Sequence, residues 1–308
     1  MRIKIIIEPW IKLKERLDHQ DYNLISTLQE QCSRYDQAAL KLELDYKLGA
    51  SINNTENNAD KTGIHKINEF MYYDGRQLIG YMGICGFGGS QSPLEVTGMV
   101  HPDYRRMGVF TKLHELFLAE CRLRSSNRTL LLCDRKSVSG QGFLEKTGAV
   151  YKCSEFEMYL RDELFELHQE QPCGIALRKA TNADAGEIAR QNAVYFDDPD
   201  AQESILIPEV EEKRGIIIYL AEKDGQIIGK VHLQTGTEVS GIYGLGVLPE
   251  HRGKGCGRAI LLSAVKKLKD EKSKEIMLQV AAENATALNL YKSCGFRETS
   301  VMDYFELK

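Results

Sequence analysis

From Gly174 onward the apolar residues keep changing period. In GIALRKATNADAGEIARQNAVY, Ile175 and Leu177 alternate with polar neighbours, as a half-buried strand requires. Thr181 then offers an N-cap ahead of Ala185, Ile188 and Ala189, with Asp184 and Glu187 supplying acid in the first turns. GIIIYLAEKDGQIIGKVHL predicts a hairpin turning at Asp224-Gly225. SGIYGLGVLP predicts a further strand, stopped by Pro249. From Arg258 to Lys269 the residues Ile260, Leu261, Ala264, Val265 and Leu268 form one helical stripe. EIMLQVA reads as a strand, ATALNLYKSCG as a helix ended by Gly295, and FRETSVMDYFEL as closing strand material. Strand, helix, hairpin, strand, glycine loop, helix, strand, helix, strand is the order of a mixed α/β (α+β) sheet flanked by helices.

The same pattern occurs earlier in the chain. VHPDYRRMGVFTKL (100–113) lies over VLPEHRGKGCGRAI (247–260), pairing Val100 with Val247, Pro102 with Pro249, Arg105 with Arg252 and Gly108 with Gly255, at an offset of 147 residues. Gly148 meets Gly295 at the same offset, and DGRQLIGYMGI (74–84) resembles DGQIIGKVHL (224–233) with slight slippage. Three shared stretches in one order predict a duplication. The expected domains are residues 1–165 and 174–308, joined through the polar RDELFELHQEQPCG (161–174). The first half carries an additional polar insert, SINNTENNADKTG (51–63), expected as a surface loop.

Composition narrows the functional classes. The 308 residues are 43% hydrophobic, enough for a core in each half, and the net charge of -4 disfavours a general nucleic-acid binder. The start, MRIKIIIEPWIKLKERLDHQ, becomes charged too quickly for a secretory leader, and no apolar run approaches a membrane span. The eight cysteines form no C-x-x-C pair or metal-like cluster. A cytoplasmic protein without metal, membrane or nucleic-acid partner is therefore expected, its thiols serving as small apolar fillers.

The loop from Arg252 to Arg258 carries candidate chemistry. It joins a strand to a helix N-terminus, where unpaired N–H groups and the helix dipole favour an anion. Gly253, Gly255 and Gly257 let backbone N–H groups point inward, while Arg252, Lys254 and Arg258 add positive charge. A P-loop would need Gly-Lys-Ser/Thr after its spacer, and a Rossmann loop would follow the first strand; neither fits. What remains is Arg-x-x-Gly-x-Gly. By itself it reads better as a basic strand–helix turn.

Downstream, ENATALNLYKSCGF places Asn284, Ala287, Leu290-Tyr291 and Gly295-Phe296 at set distances. With Val247, Pro249, Arg252, Gly255 and Gly257, this resembles the signature of the GNAT superfamily of acetyl-CoA-dependent N-acetyltransferases, over about residues 174–308. The resemblance implies two tandem GNAT-like domains and acetyl-CoA as co-substrate. It implies that Arg252, Gly253, Lys254, Gly255, Cys256, Gly257 and Arg258 hold the coenzyme pyrophosphate. Leu245, Gly246 and Val247 would offer a strand edge to the pantetheine arm. Asn284 and Ala287 would face that arm from the other side. Tyr291 would be the general acid for the leaving thiolate, its structural alternative being a packing tyrosine beside Leu288. No base is singled out: His232, Glu238 and Tyr243 lie on or near the central strands, each with an ordinary structural reading. The carboxylates Asp197, Asp198 and Asp200 are either an attraction for a cationic amine or a solvated turn.

The first half departs from this pattern. Phe110 replaces the last glycine, Ser137 stands at the Asn284 position and Leu144 at the Tyr291 position. Leucine has no proton to give. The expectation is a degenerate first domain and a catalytic second one, acetylating a primary amine of a small molecule or peptide. The alternative is a non-catalytic acetyl-CoA-binding or regulatory protein of the same fold.

Overall fold

The computed structural model describes residues 5–53, 66–86, 93–124, 128–165, 174–196, 205–236 and 238–307. Most of the polar insert, Asp197 to Asp200 and residues 166–173 lie outside them. Contacts divide the chain into two compact units: residues 1–154 with 300–308, and residues 155–299.

The first unit begins with strand β1 (Pro9–Lys14), helices α1 (His19–Asp36) and α2 (Leu44–Asn53), and strands β2 (Glu69–Asp74), β3 (Gln77–Gly86) and β4 (Leu94–Val100). Helix α3 (Val109–Leu123), strand β5 (Thr129–Asp134), helix α4 (Val138–Thr147) and the start of β6 (Val150–Leu160) follow. Its strands run β1-β2-β3-β4-β5 and end on the last part of the chain's final strand. All neighbours are antiparallel except β4 and β5. Leu113 and Phe117 of α3 pack on Phe70, Ile79 and Met82 on one face, while Ile25 and Leu28 of α1 pack with Met71 and Tyr81 on the other.

The second unit takes up the rest of β6, α5 (Asp162–Phe165), β7 (Ala176–Lys179), α6 (Ala185–Phe196) and α7 (Pro208–Lys213). It continues through β8 (Ile216–Lys223), β9 (Gln226–Gln234), β10 (Val239–Val247), α8 (Cys256–Asp270), β11 (Glu275–Ala281), α9 (Ala285–Ser293) and the start of β12 (Phe296–Glu306). The strand order is β7-β8-β9-β10-β11 and then β6, with β10 and β11 the parallel pair. The two units therefore share one topology. The helical stripe behaves as its spacing predicts: Ile260, Leu261, Ala264 and Val265 are fully buried. Burying each of the larger ones contributes about 1.5–3 kcal/mol. The helix opens at Cys256, two residues before the Arg258 start read from the sequence, because Gly255 at φ 78 lets the chain turn into it immediately.

The expected boundaries at 165 and 174 differ from this division, because each unit's final strand comes from the other's stretch of sequence. Residues 155–159 of β6 pair with β11, and residues 302–306 of β12 pair with β5. The closing strand read from FRETSVMDYFEL thus begins in the second unit and ends in the first. Both strands are apolar enough to enter either sheet, so periodicity carries no record of their destination.

A buried polar clip holds residues 300–308 in the first unit. Asp303 accepts from Ser154 Oγ at 2.6 Å and from Arg135 Nη2 at 2.7 Å and Nε at 3.1 Å. Asp303→Ala leaves the buried Ser154 hydroxyl without this acceptor and should cost about 2 kcal/mol. Trp10, the only tryptophan in the chain, stacks on Tyr73 at 4.2 Å within the first unit. The loss should therefore appear as a lower urea midpoint in tryptophan fluorescence.

Candidate active site

The second unit's cleft starts where two strands part. β10 and β11 keep register only over Val239–Ile242 against Glu275–Leu278. On its other side β10 continues beside β9 to Val247, through a bulge between Tyr243 and Gly246. The bulge turns β10 away from β11. Leu245, Gly246 and Val247 thus lie past the last β11 pair, where β10 is paired only on its β9 side, through Gly246 with Lys230 and Val247 with Gly229.

The glycine loop closes one end of this gap. Pro249–His251 forms a short 3-10 turn, Gly253 (φ 70) and Gly255 (φ 78) take left-handed conformations, and α8 begins with no side-chain cap. Its first N–H groups remain available to an anion. Arg252 donates from Nε to the Val247 carbonyl at 2.9 Å, while Lys254 donates to the Glu250 carbonyl at 2.8 Å. Arg258 reaches Ser293 through Nη1 at 2.9 Å to Oγ, clipping α8 to α9. Cys256 is buried in the core behind the loop, so its backbone but not its thiol faces this end. Gly257 sits between strand and helix: a Cβ there would meet Leu290 at 3.3 Å and Val247 at 3.7 Å.

The downstream residues divide their roles. Asn284 caps α9, its Oδ1 accepting from the Ala287 N–H at 3.0 Å. That bond occupies the Ala287 N–H and leaves the Asn284 amide group to face a ligand. Ser137 caps α4 in the first unit in the same way, through Gly140 N–H at 3.2 Å. The capping part of this position is therefore common to both copies. Tyr291 is buried against Phe296, and burial pushes its phenol up to about 12. It keeps its proton at neutral pH, as a general acid must.

Lys230 and Tyr195 were not found from the sequence. Lys230, on β9, is fully buried and donates to the Gly244 carbonyl at 3.1 Å. Its Nζ is 3.2 Å from His232 Nε2 and 5.6 Å from the centre of the Tyr195 ring. Burial pushes Lys230 down to about 7; burial and the neighbouring lysine hold His232 well below the usual imidazole range. The Tyr195 ring, from α6, lies so close to Gly246 that a Cβ there would overlap it. Gly244 (φ 54) lies against the His232 ring. A readable signal existed: three glycines at alternating-like spacing in SGIYGLGV mark close approach by other groups. Of the other base candidates, Glu238 pairs with Lys274 at 2.7 Å on the surface, at the opposite end of β10 from the loop. Tyr243 covers Gly241 and donates to the Met277 sulfur at 3.6 Å.

The first unit repeats the loop but fills the gap. Arg106 (φ 65) and Gly108 (φ 80) reproduce the left-handed turns, and Arg105 donates to Val100 as Arg252 does to Val247. Yet both Arg105 Nη groups bind Asp36, at 2.6 Å each. The Phe110 ring covers Gly98 and stacks edge-on against Phe143 at 4.6 Å. Leu144 is buried at the Tyr291 position.

The depressed lysine has a consequence for stability. Between about pH 7 and the ordinary lysine value of 10.5, the unfolded chain holds a proton that folded Lys230 has lost. Stability attributable to this group therefore rises with pH across that window, by up to roughly 5 kcal/mol, and is flat below it, where both states are protonated. Lys230→Met should remove the rise. The difference between wild type and variant in urea midpoint, followed by circular dichroism from pH 7 to 10, measures it.

Residues 182–296 match the model of the acetyltransferase (GNAT) family. A mycothiol acetyltransferase of Amycolatopsis mediterranei is 34% identical over 42% of this chain and 48% of its own length. One of Acidothermus cellulolyticus is 28% identical over 68% of this chain and 69% of its own. The chain thus spans about half the length of the first relative and about two thirds of the second. A tandem GNAT protein from the clavulanic acid biosynthesis pathway shares the fold at a TM-score of 0.70, with 15% identity over 97% of this chain and 98% of that one. With the parted strands, the left-handed glycine loop and the capped helix bearing Tyr291, the match over residues 182–296 places that part of the second unit in the acetyltransferase (GNAT) family, while the chain as a whole shares the fold of a tandem GNAT protein.

Proposed function

We propose that the second unit transfers the acetyl group of acetyl-CoA to a primary amine of a small molecule or peptide. The reading rests on one contrast. The second unit combines an open strand edge, a glycine cradle and a buried tyrosine, where the first has Phe110, a neutralised Arg105 and Leu144.

The coenzyme pyrophosphate would lie on the N–H groups of Gly253 to Arg258, with Arg252 beside it. The pantetheine arm would pair along Leu245 to Val247 like an added strand, with the Asn284 amide on the opposite side. Backbone N–H groups at that edge would polarise the thioester carbonyl. The amine attacks that carbonyl, the carbon–sulfur bond breaks, and the Tyr291 phenol supplies the thiolate's proton. The first unit shapes the protein without binding coenzyme. The name shared by the relatives puts compounds related to mycothiol among the first acceptors to test.

An amine panel assayed for thiol release from acetyl-CoA tests the reading. Tyr291→Phe should lower kcat about 100-fold while leaving acetyl-CoA affinity unchanged. Unchanged turnover would remove Tyr291 from the role of acid, and binding without turnover of any amine would favour the regulatory alternative. Calorimetry of the full chain should find one acetyl-CoA site. A second site of similar affinity would overturn the inactive reading of the first unit.

A further inference from the structure

Acetyl transfer to an alkylammonium leaves one proton without a destination. The acceptor nitrogen loses two protons in becoming an amide; Tyr291 accounts for one by protonating the thiolate and recovering its proton from the new amide nitrogen. We propose that His232 and Lys230 take the other as a two-base relay, His232 receiving it at Nδ1 and Lys230 holding it, a proposal that rests on the acetyl-transfer reading of the same cleft.

The geometry gives each nitrogen a task. His232 Nε2 and Lys230 Nζ are 3.2 Å apart, and Nζ donates to the Gly244 carbonyl at 3.1 Å. In the uncharged pair, Nε2–H donates to the lone pair on Nζ, and Nδ1 carries the ring's remaining lone pair. Gly244 belongs to the bulge where β10 has left β11. A Cβ on Gly244 would sit 3.1 Å from Nδ1, 3.2 Å from Cε1 and 3.3 Å from Cγ, over the imidazole face, so glycine keeps that face of the ring open.

The step balances. An N–H bond of the acceptor ammonium breaks as Nδ1–H forms; Nε2–H breaks as Nζ gains its third hydrogen. The acceptor's freed lone pair attacks the thioester carbonyl. Afterwards the proton returns by the same two nitrogens and leaves to water.

The surroundings favour the uncharged form of Lys230 above about pH 7. Ile218 and Leu220, opposite His232 and Lys230 on β8, carry no charge. From α6 the Tyr195 ring faces Nζ, and its hydroxyl donates to Gln191, which in turn donates to Glu187, itself paired with Arg190. Arg252 and Glu250 act on Tyr195 from the glycine loop, and Tyr243, opposite His232 on β10, donates to Met277. Two bases this close in a buried site share at most one proton. Lys230 at about 7 is poised to gain one near neutrality.

Two measurements test the relay. In the first, Lys230→Met and His232→Gln are assayed with the best alkylamine of the panel and with hydroxylamine, which is uncharged at neutral pH. With the alkylamine, kcat/KM at pH 7 should fall about 100-fold, and its rise with pH should continue past the wild-type plateau; with hydroxylamine both variants should stay within about threefold of wild type. Equal losses with both nucleophiles, or no loss with either, would overturn the relay. In the second, nitrogen-15 histidine spectra of the full chain should show His232 neutral at pH 7 and protonated at Nε2 at about pH 9, once Lys230 has lost its proton. Lys230→Met should move its titration back up toward the ordinary value. A His232 that titrates near 6.5 in wild type and ignores Lys230→Met overturns the pair. If wild type acetylates no amine, the functional reading falls instead, and the spectra alone judge the pair.

Discussion

Everything in the second unit's cleft depends on a parallel strand pair that is abandoned early. β10 and β11 are hydrogen-bonded through Ile242 and Leu278, and then separate while β10 stays attached to β9. An unpaired strand edge inside a protein is costly unless something satisfies it. The bulge at Gly244 and Leu245 creates that edge, and buried Lys230 satisfies one of the bulge carbonyls from the β9 side. The remaining groups face a gap whose ends are a glycine loop and a capped helix. Its shape suits an extended amide-bearing chain with an anion at one end.

The two units show how little is needed to close such a gap. Topology, loop dihedrals and the arginine-to-carbonyl bond at the strand end are the same in both. One difference is in the backbone, since β4 keeps continuous register with β3 where β10 carries its bulge; the others are side chains, among them one phenylalanine ring over Gly98 and one aspartate holding both arms of Arg105. Phe110 stands at the position of Gly257 and lays its ring over Gly98 and against Phe143, within the first unit. The Asp36 carboxylate cancels the charge that an anionic ligand would need.

Local features were legible in the sequence because their causes are local. The stripe from Ile260 to Leu268, the turn at Asp224-Gly225 and the cap at Thr181 depend on neighbours within a few residues, and each lies where its pattern placed it. The resemblance to an acetyltransferase signature was equally readable, since a strand, a loop and two helix starts carry it. The exchange of β6 and β12 was not, because a strand's partner is chosen by tertiary packing. The short helix α7 was missed for want of apolar periodicity in PEVEEK. Lys230 was invisible for a related reason: in IIGKVHL it reads as an outward polar position, and only α6 and Tyr195 make that face an interior.

The duplicated arginine shows why a motif residue need not report a ligand. Arg105 and Arg252 each use Nε to hold the carbonyl of the preceding strand's last residue, at 3.1 and 2.9 Å. That bond fixes the turn between strand and helix whether or not an anion is bound. A duplication would retain the arginine for this reason even after coenzyme binding was lost. The informative part is the other end of the side chain. In the first unit both Nη groups are committed to Asp36; among the described residues of the second, no carboxylate pairs with Arg252. The retained turn therefore needs no ligand to explain it, and the two copies differ in what the far end of the arginine meets.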